Sequence, residues 1–153
     1  IGIDLITFRP FYFIGAHKKG DFSSELAKQI VLIEKGKKEF LELGNINLIR
    51  DFLDVRDGVE AIKKLIEFGV PFTNYNICSG KGTNLKDLLK LFINQSSVKI
   101  NYKLDKTLIR SNEDKIRIGS PDKINNIGWF PKYEMKQTVS HILKYWRKNY
   151  DNM

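Results

Sequence analysis

The sequence has little cysteine and no long apolar run. Cys78 is the single cysteine among 153 residues, so an internal disulfide is excluded, which fits a reducing, cytoplasmic setting. No apolar stretch approaches the roughly 18 residues that cross a membrane. Cys78 ends the apolar run Tyr75-Asn76-Ile77-Cys78, which is typical of a buried, inert thiol.

The first residues lack the features of a targeting segment. Ile1 to Asp4 carry no basic region and no cleavage site, so they do not form a signal peptide. There is no initiator Met, and residues 3–8 at once predict a strand. We therefore expect the chain to be a piece of something longer. A hydrophobic fraction of 42% is typical of one ordered core.

Acidic residues are fewer than basic ones, 18 against 26, and the formal net charge is +8. Such an excess suggests nucleic acid binding. However, the lysines are scattered, and neither a zinc-binding spacing nor a recognition helix accompanies them. We interpret them as a solvated surface whose positive field also suits a diphosphate. Binding to nucleic acid remains an alternative, and the membrane is not an expected partner.

The spacing of apolar residues predicts an α/β fold. Glycines at 15 and 20 predict a loop over residues 11–20. Strands are predicted at 3–9, 39–43, 47–53, 75–78 and 98–104. Helices are predicted from Ser23 or Ser24 to Lys35, from Asp54 to about Gly69, after Asn84, after Pro121 and around 135–146. In the second helix, Asp54 is the expected N-cap, and the expected buried stripe is Val59, Ile62, Leu65 and Ile66.

Two segments resemble well-known motifs, but each lacks a feature that the motif requires. Gly80-Lys81-Gly82-Thr83 resembles the end of a P-loop, but Tyr75 stands where the first glycine is required. We interpret it as a loop that leads into a helix. Tyr102 and Lys106 have the Tyr-x-x-x-Lys spacing of short-chain dehydrogenases, which works on one helical turn. Here the tyrosine lies in a predicted strand, so we reject the match.

No metal site and no catalytic residue are predicted within the chain. Asp51, Asp54 and Asp57 are three residues apart, whereas calcium loops space their acids by two. At a strand-to-helix junction they are interpreted as caps. His17 and His141 are distant in sequence, and neither has a second metal ligand at a standard spacing.

Arginine is scarce, with six residues, yet two of the six occupy suggestive positions. Arg50 and Arg110 lie at the ends of predicted elements, and Glu113 follows three residues after Arg110. A guanidinium binds phosphate bidentately. A carboxylate accepts hydrogen bonds from a sugar hydroxyl or from the amino group of guanine. From the residues alone, a surface ion pair remains the alternative.

An ordered series of segments covers essentially the whole chain. They are Ile6-Thr7-Phe8-Arg9-Pro10-Phe11, Leu43-Gly44-Asn45, Arg50 to Asp57, Tyr75 to Gly80, Leu108 to Glu113 and Ile127 to Pro131. Together they resemble the C-terminal half of extended short-chain dehydrogenases/reductases, the NAD-dependent epimerase/dehydratase family. Within that family, the Arg50 to Asp57 segment and the Cys78-Ser79-Gly80 turn are most similar to the GDP-4-dehydro-6-deoxy-D-mannose reductase branch, and the GDP-mannose 4,6-dehydratase branch is the next most similar.

This resemblance implies the last strands of a Rossmann-type sheet plus a small α/β substrate-binding domain. Residues 1–20 and roughly 47–80 would belong to the sheet, and roughly 21–46 and 81–153 mainly to the substrate-binding domain. The N-terminal cofactor-binding half would be absent. It would hold most of the NADP or NAD, the glycine-rich fingerprint and the catalytic Tyr-x-x-x-Lys. We therefore expect this chain alone to be inactive and the full-length enzyme to be a homodimer.

The resemblance also implies roles for individual residues. Arg50 and Arg110 would bind the diphosphate of a GDP-linked sugar, and Glu113 would bind its ribose or base. Tyr12, Phe22 and Ser23 would line the substrate pocket. The cofactor nicotinamide and the hexose would lie beside Arg9, Pro10 and Phe11.

Two substitutions depart from the family pattern in this region. Tyr12-Phe13 stands where the family has Asn-His, and Ala16 replaces a proline. The contact that the asparagine makes with the sugar diphosphate is therefore expected to change.

The implied reaction is hydride transfer to the C4 ketone of GDP-4-keto-6-deoxymannose. The alternatives are the corresponding part of GDP-mannose 4,6-dehydratase or of another nucleotide-sugar epimerase or dehydratase. A non-catalytic nucleotide-binding module is a further alternative.

Overall fold

The structure, a computed structural model, describes residues 3–109 and 113–152. The strands are β1 (Thr7–Pro10), β2 (Tyr12–Ile14), β3 (Leu41–Leu43), β4 (Ile49–Arg50), β5 (Phe52–Asp54), β6 (Asn74–Ile77), β7 (Thr83–Asn84), β8 (Tyr102–Leu104) and β9 (Ile116–Arg117). The helices are α1 (Phe22–Glu34), α2 (Val55–Phe68), α3 (Leu85–Ile93), α4 (Asp122–Asn125) and α5 (Met135–Lys148). Short 3-10 turns span Lys106–Leu108 and Tyr150–Asn152. The α/β fold class is thus confirmed.

The strands form short, mostly parallel ladders. β1 pairs with β6, β2 with β5, and β3 with β8, each in parallel. β4 is the middle strand of a three-stranded sheet, antiparallel to β7 and parallel to β9. Parallel neighbours need long crossovers, and helices lie within them: α1 lies in the connection from β2 to β5, and α2 and α3 lie in the connection from β3 to β8.

Three local predictions were wrong. Residues 12–14 are not loop but strand β2, because pairing with β5 and burial of Ile14 outweigh the nearby glycines. The predicted strand at 47–53 is interrupted at Asp51 and forms two strands, β4 and β5. Helix α1 begins after Asp21 rather than at Ser23 or Ser24, since the Asp21 carboxylate accepts a hydrogen bond from the Ser24 amide at 2.8 Å.

Helix α2 is capped as predicted but faces a different way. The Asp54 carboxylate accepts a hydrogen bond from the Arg56 amide at 2.8 Å. The buried stripe runs through Gly58, Ala61 and Leu65. Val59 and Ile66, which were predicted to be buried, are 50% and 78% exposed, because they lie about 100° away from that stripe on the helix.

The buried apolar side chains form two clusters. The large cluster joins α1, α3 and α5 to the strands beside them and includes Leu26, Ile30, Leu88, Phe92 and Trp146. The small cluster joins α2 and α4 to β5 and β6 and consists of Leu53, Ala61, Leu65, Tyr75, Ile77, Ile124 and Trp129. Of the helices in the described residues, none is long and apolar enough to cross a membrane.

Cys78 is fully buried. Burial raises the pKa of its thiol to about 11, and the nearby Asp51 carboxylate adds to the effect. The thiol is thus protonated at neutral pH, and the prediction of a buried, inert cysteine is confirmed.

Candidate substrate-binding site

A cavity of about 580 Å³ opens where β2, β4 and β5 meet the start of α1. The strand residues that line it include Tyr12, Arg50 and Phe52. The first turn of α1 with the preceding loop also lines it, as do Asn45 and Glu113. This volume lies in the range of pockets that hold small molecules and cofactors.

Arg50 carries the most unusual charge in this cavity. Arg50 is only 6% exposed, and its Nη1 donates a hydrogen bond to the Ile49 carbonyl at 2.9 Å. Among the described residues, no carboxylate lies within ion-pair distance of its guanidinium. A buried cation without a counter-ion costs several kcal/mol by general estimates. The position beside the Arg50 guanidinium therefore favours an anionic group. The cavity lining also carries the carboxylates of Asp21, Glu25, Glu42 and Glu113, and the first three pair with Lys18, Lys28 and Lys38 rather than with Arg50.

Asp51, the neighbour of Arg50, is fully buried and binds two loops. Its carboxylate accepts hydrogen bonds from the Ser79 amide (2.8 Å), the Ser79 hydroxyl (2.7 Å), the Gly80 amide (2.9 Å) and the Gly119 amide (3.2 Å). These loops adjoin β7 and β9, so Asp51 fixes both neighbours of the strand that carries Arg50. The sequence indicated a cap at this position and missed this role.

The hydrogen bonds of Asp51 also show whether the segment Gly80-Lys81-Gly82-Thr83 can bind phosphate. A phosphate-binding loop needs free backbone amides, and Asp51 occupies those of Ser79 and Gly80. Strand β7 and helix α3 follow directly. The prediction of a loop that leads into a helix is confirmed.

The other two aspartates of the junction are structural. The Asp54 carboxylate binds the Arg56 side chain at 2.7 and 2.9 Å and the Thr138 hydroxyl at 2.7 Å. Burial alone would raise the pKa of Asp54, but these hydrogen bonds outweigh it and lower the pKa below its ordinary value. The Asp57 carboxylate accepts from the amides of Lys132 and Tyr133. Both residues therefore tie α2 to the segment around α5.

Tyr12 lies between two arginines. The guanidinium carbon of Arg50 is 5.5 Å from the centroid of the Tyr12 ring. Arg117 Nη1 donates to the Tyr12 hydroxyl at 3.4 Å, and its Nε donates to Asp114 at 2.7 Å. The Tyr12 ring also packs edge-on against Phe52, with centroids 6.0 Å apart. Arg117 was not among the predicted site residues, although the alternation Lys115-Ile116-Arg117-Ile118 could have indicated a strand.

The first turn of α1 forms one wall of the cavity. Phe22 and Ser23 both line it, and the Ser23 hydroxyl donates to Asp21 at 2.8 Å. Lys18 also lines the cavity and lies 3.1 Å from the second Asp21 oxygen. The cap of α1 and this lysine therefore hold the wall in place.

The structure brings five of the predicted site residues together around one cavity: Tyr12, Phe22, Ser23, Arg50 and Glu113. Arg110 lies outside the described residues. The three residues predicted to lie beside the cofactor do not line this cavity: Arg9 and Pro10 are exposed on β1, and Phe11 is half-buried.

Phe11 packs beside Gly119. A Cβ at Gly119 would lie 2.7 Å from the Phe11 ring and 2.6 Å from Cys78 Sγ, so this position requires glycine. Tyr102 lies on β8, and Lys106 lies in a 3-10 turn, so the rejection of the Tyr-x-x-x-Lys match is confirmed.

The fold and the cavity together define an α/β protein with a cavity beside its parallel strands that contains a buried arginine. The sequence matches the model of the GDP-mannose 4,6 dehydratase family over residues 1–142. The chain belongs to this family.

Individual relatives agree with this assignment. The chain is 32% identical over 148 residues to GDP-6-deoxy-D-mannose reductase of Pseudomonas aeruginosa. This match covers 95% of this chain and 49% of the relative. It is 29% identical over 123 residues to GDP-6-deoxy-D-talose 4-dehydrogenase of Aggregatibacter actinomycetemcomitans, covering 80% and 41%. The structure of RMD from Pseudomonas aeruginosa complexed with NADPH superposes with a TM-score of 0.87 at 31% identity, covering 94% of this chain and 48% of that one. The chain spans about half the length of the curated relatives it matches.

Proposed function

We propose that this chain is the nucleotide-sugar-binding part of an NAD(P)-dependent reductase that acts on GDP-4-keto-6-deoxymannose. The observation that carries the proposal is the buried Arg50, which lines the cavity and has no counter-ion among the described residues. The similarity to GDP-6-deoxy-D-mannose reductase supports the choice of base and sugar. A diphosphate needs fixed positive charge, and a guanidinium supplies it at every physiological pH.

The cavity suggests how such a substrate is divided among the residues. Arg50, together with Arg110, binds the diphosphate. Glu113, which also lines the cavity, accepts hydrogen bonds from the ribose or from the base. Tyr12, Phe22 and Ser23 supply the remaining surface. The aromatic rings of Tyr12 and Phe22 offer flat apolar contact, while Ser23 fixes the first turn of α1 through Asp21.

The described residues do not fit a complete dinucleotide site. The solved relative holds NADPH, and a dinucleotide diphosphate needs a glycine-rich turn with free amides. The turn at Ser79 and Gly80 gives its amides to Asp51. This chain would offer the cofactor only Arg9, Pro10 and Phe11 at the end of β1. We therefore propose that residues 1–20 and 47–80 complete a Rossmann-type sheet with a further half, and that turnover requires this half.

Isothermal titration calorimetry with GDP and GDP-mannose tests the proposal. The wild-type chain should bind GDP, and Arg50→Gln should weaken binding by at least about ten-fold because a charge-assisted contact to phosphate is lost. Lys123→Ala is the matched control, since Lys123 is an exposed cation outside the cavity. Thermal unfolding of each variant verifies the fold. If Arg50→Gln binds GDP as tightly as the wild type, the site is wrongly assigned.

A dehydratase is the second candidate, because the matching family model is that of GDP-mannose 4,6 dehydratase. Both candidates share the binding half, so binding of GDP does not separate them. Reconstitution with a cofactor-binding half from a relative does. Oxidation of NADPH by the 4-keto sugar nucleotide supports a reductase, whereas formation of a 4-keto sugar from GDP-mannose supports a dehydratase.

A further inference from the structure

Two arginines stand side by side on the sheet that contributes Arg50 to the cavity lining. In the parallel pair of β4 and β9, Arg50 is the direct register partner of Arg117. Register partners on neighbouring strands lie about 4.8 Å apart and project from the same face of the sheet. The two side chains therefore leave the sheet from neighbouring positions on one face, although Arg50 is buried and Arg117 is exposed.

Both side chains converge on Tyr12. Arg50 approaches the ring at 5.5 Å from its centroid, and Arg117 donates to the hydroxyl at 3.4 Å. Tyr12 lines the cavity, whereas Arg117 is exposed and is not one of the lining residues. The hydrogen bond to the Tyr12 hydroxyl therefore places Arg117 directly beside a residue of the cavity.

Only one of the two arginines has a carboxylate as a direct partner. Asp114 binds Arg117 at 2.7 Å, but Arg50 has no carboxylate partner among the described residues. Asp51 follows Arg50 in the sequence but does not pair with it. Its carboxylate already accepts four hydrogen bonds from Ser79, Gly80 and Gly119. Two adjacent cations repel each other. A ligand with two adjacent anionic groups would remove this repulsion better than a ligand with one.

We propose that Arg117 is a further diphosphate-binding residue, in addition to Arg50 and Arg110, and that Tyr12 holds it in place beside Arg50. The proposal rests on the proposed function, because it concerns the same cavity. Arg50 contacts one phosphate from inside the cavity, and Arg117 contacts the other from beside the cavity. Tyr12 acts as a positioning residue: its hydroxyl accepts the hydrogen bond that directs Arg117.

The test compares GDP with GMP by calorimetry on Arg117→Ala, Arg117→Lys and the wild type. Arg117→Ala should weaken GDP binding by about ten-fold but GMP binding by less than about two-fold, since one phosphate is then missing. Arg117→Lys should lie between the two, because a lysine keeps the charge but loses the planar fork. Lys123→Ala again serves as the control. A purely structural role of Arg117 would weaken both nucleotides alike.

Tyr12→Phe tests the positioning role. It should weaken GDP binding by about two- to five-fold in the wild type and have no effect in an Arg117→Ala background. If Arg117→Ala leaves the ratio of GDP to GMP affinity unchanged while Arg50→Gln lowers GDP binding, the role of Arg117 is refuted and the proposed function stands. If the wild type binds neither nucleotide, both proposals fail.

Discussion

The two apolar clusters of this chain differ in how completely they are covered. Around the large cluster, three helices pack on one another and on the strands, and Leu88, Phe92 and Trp146 are at most 1% exposed. Around the small cluster, β1 is exposed at all four of its residues. Apolar side chains stay in solvent there, such as Leu5 (60%), Ile66 (78%) and Phe72 (79%). The region with the cavity is thus packed by the chain's own residues, whereas the β1–β6 region is left half-covered by the described residues.

This difference in coverage matches the roles that we propose for the two regions, substrate binding for one and contact with a further half for the other. The cavity needs rigid walls, and the large cluster supports α1 and the strands that form them. The β1–β6 pair is the part that we assign to a larger sheet. An apolar surface of this kind is typical of a contact with further protein.

The largest expected effect compares two phenylalanines. Phe92, in the large cluster, is 0% exposed, and Phe72, beside the small cluster, is 79% exposed. Phe92→Ala should lower the free energy of unfolding by about 3–5 kcal/mol, because it leaves a cavity in a packed core. Phe72→Ala should change it by less than about 1 kcal/mol. Urea unfolding followed by circular dichroism measures both, and similar losses would show that the two regions are equally well packed.

A smaller effect is expected on the stability of the fold at acidic pH. At the ends of α1, α3 and α5, the Glu34 carboxylate binds Arg147 at 2.7 and 2.9 Å and also binds Ser96 and Ser97. Burial by itself raises the pKa of Glu34, but the hydrogen bonds and charge of Arg147 outweigh it and lower the pKa to about 2. Because the folded-state pKa is lowered, this stabilisation is present above about pH 4.5 and is lost as the pH falls toward about 2.

Thermal unfolding between pH 6 and pH 2.5 checks this, with Glu34→Gln beside the wild type. The variant should be less stable at pH 6, and the difference should shrink as the pH falls. Glu60→Gln is the control, since the exposed pair of Glu60 and Lys63 lies on α2. A difference that does not change with pH would contradict a role for the Glu34 charge.

The smallest expected effect lies at the exposed edge. Phe72 has a φ of 59°, in the left-handed region that is unfavourable for a bulky L-residue. Phe72→Gly and Phe72→Ala both remove the ring, but glycine adopts this backbone freely. The glycine variant should therefore be more stable than the alanine variant by about 1 kcal/mol. The opposite order in urea unfolding would show that the chain rearranges at this position.

Local patterns predicted the helices well, because caps and apolar spacing are encoded within a few residues. Asp54, Asn84 and Gly69 define helix ends as predicted. Strand β2 was missed because its pairing with β5 joins residues about 40 positions apart in sequence. The exposure of Val59 and Ile66 was missed since the pattern shows which residues are apolar but not what covers them.

The site was predictable in part. Arg50, Glu113 and the start of α1 followed from the family resemblance, and they share one cavity. The contacts of Asp51 and Arg117 did not follow, because they depend on loops at 79–80 and 117–119 meeting β4 in space. Tyr12 was itself predictable only in part. Its departure from the family asparagine was visible in the sequence, whereas its place between two arginines needed the structure.

A crystal structure of this chain with GDP tests the central claim most directly. We predict that the diphosphate lies in the cavity of about 580 Å³. At least one phosphate oxygen should lie within about 3 Å of the Arg50 guanidinium, the distance of a charge-assisted hydrogen bond. GDP bound elsewhere, with Arg50 still donating only to the Ile49 carbonyl, would contradict it.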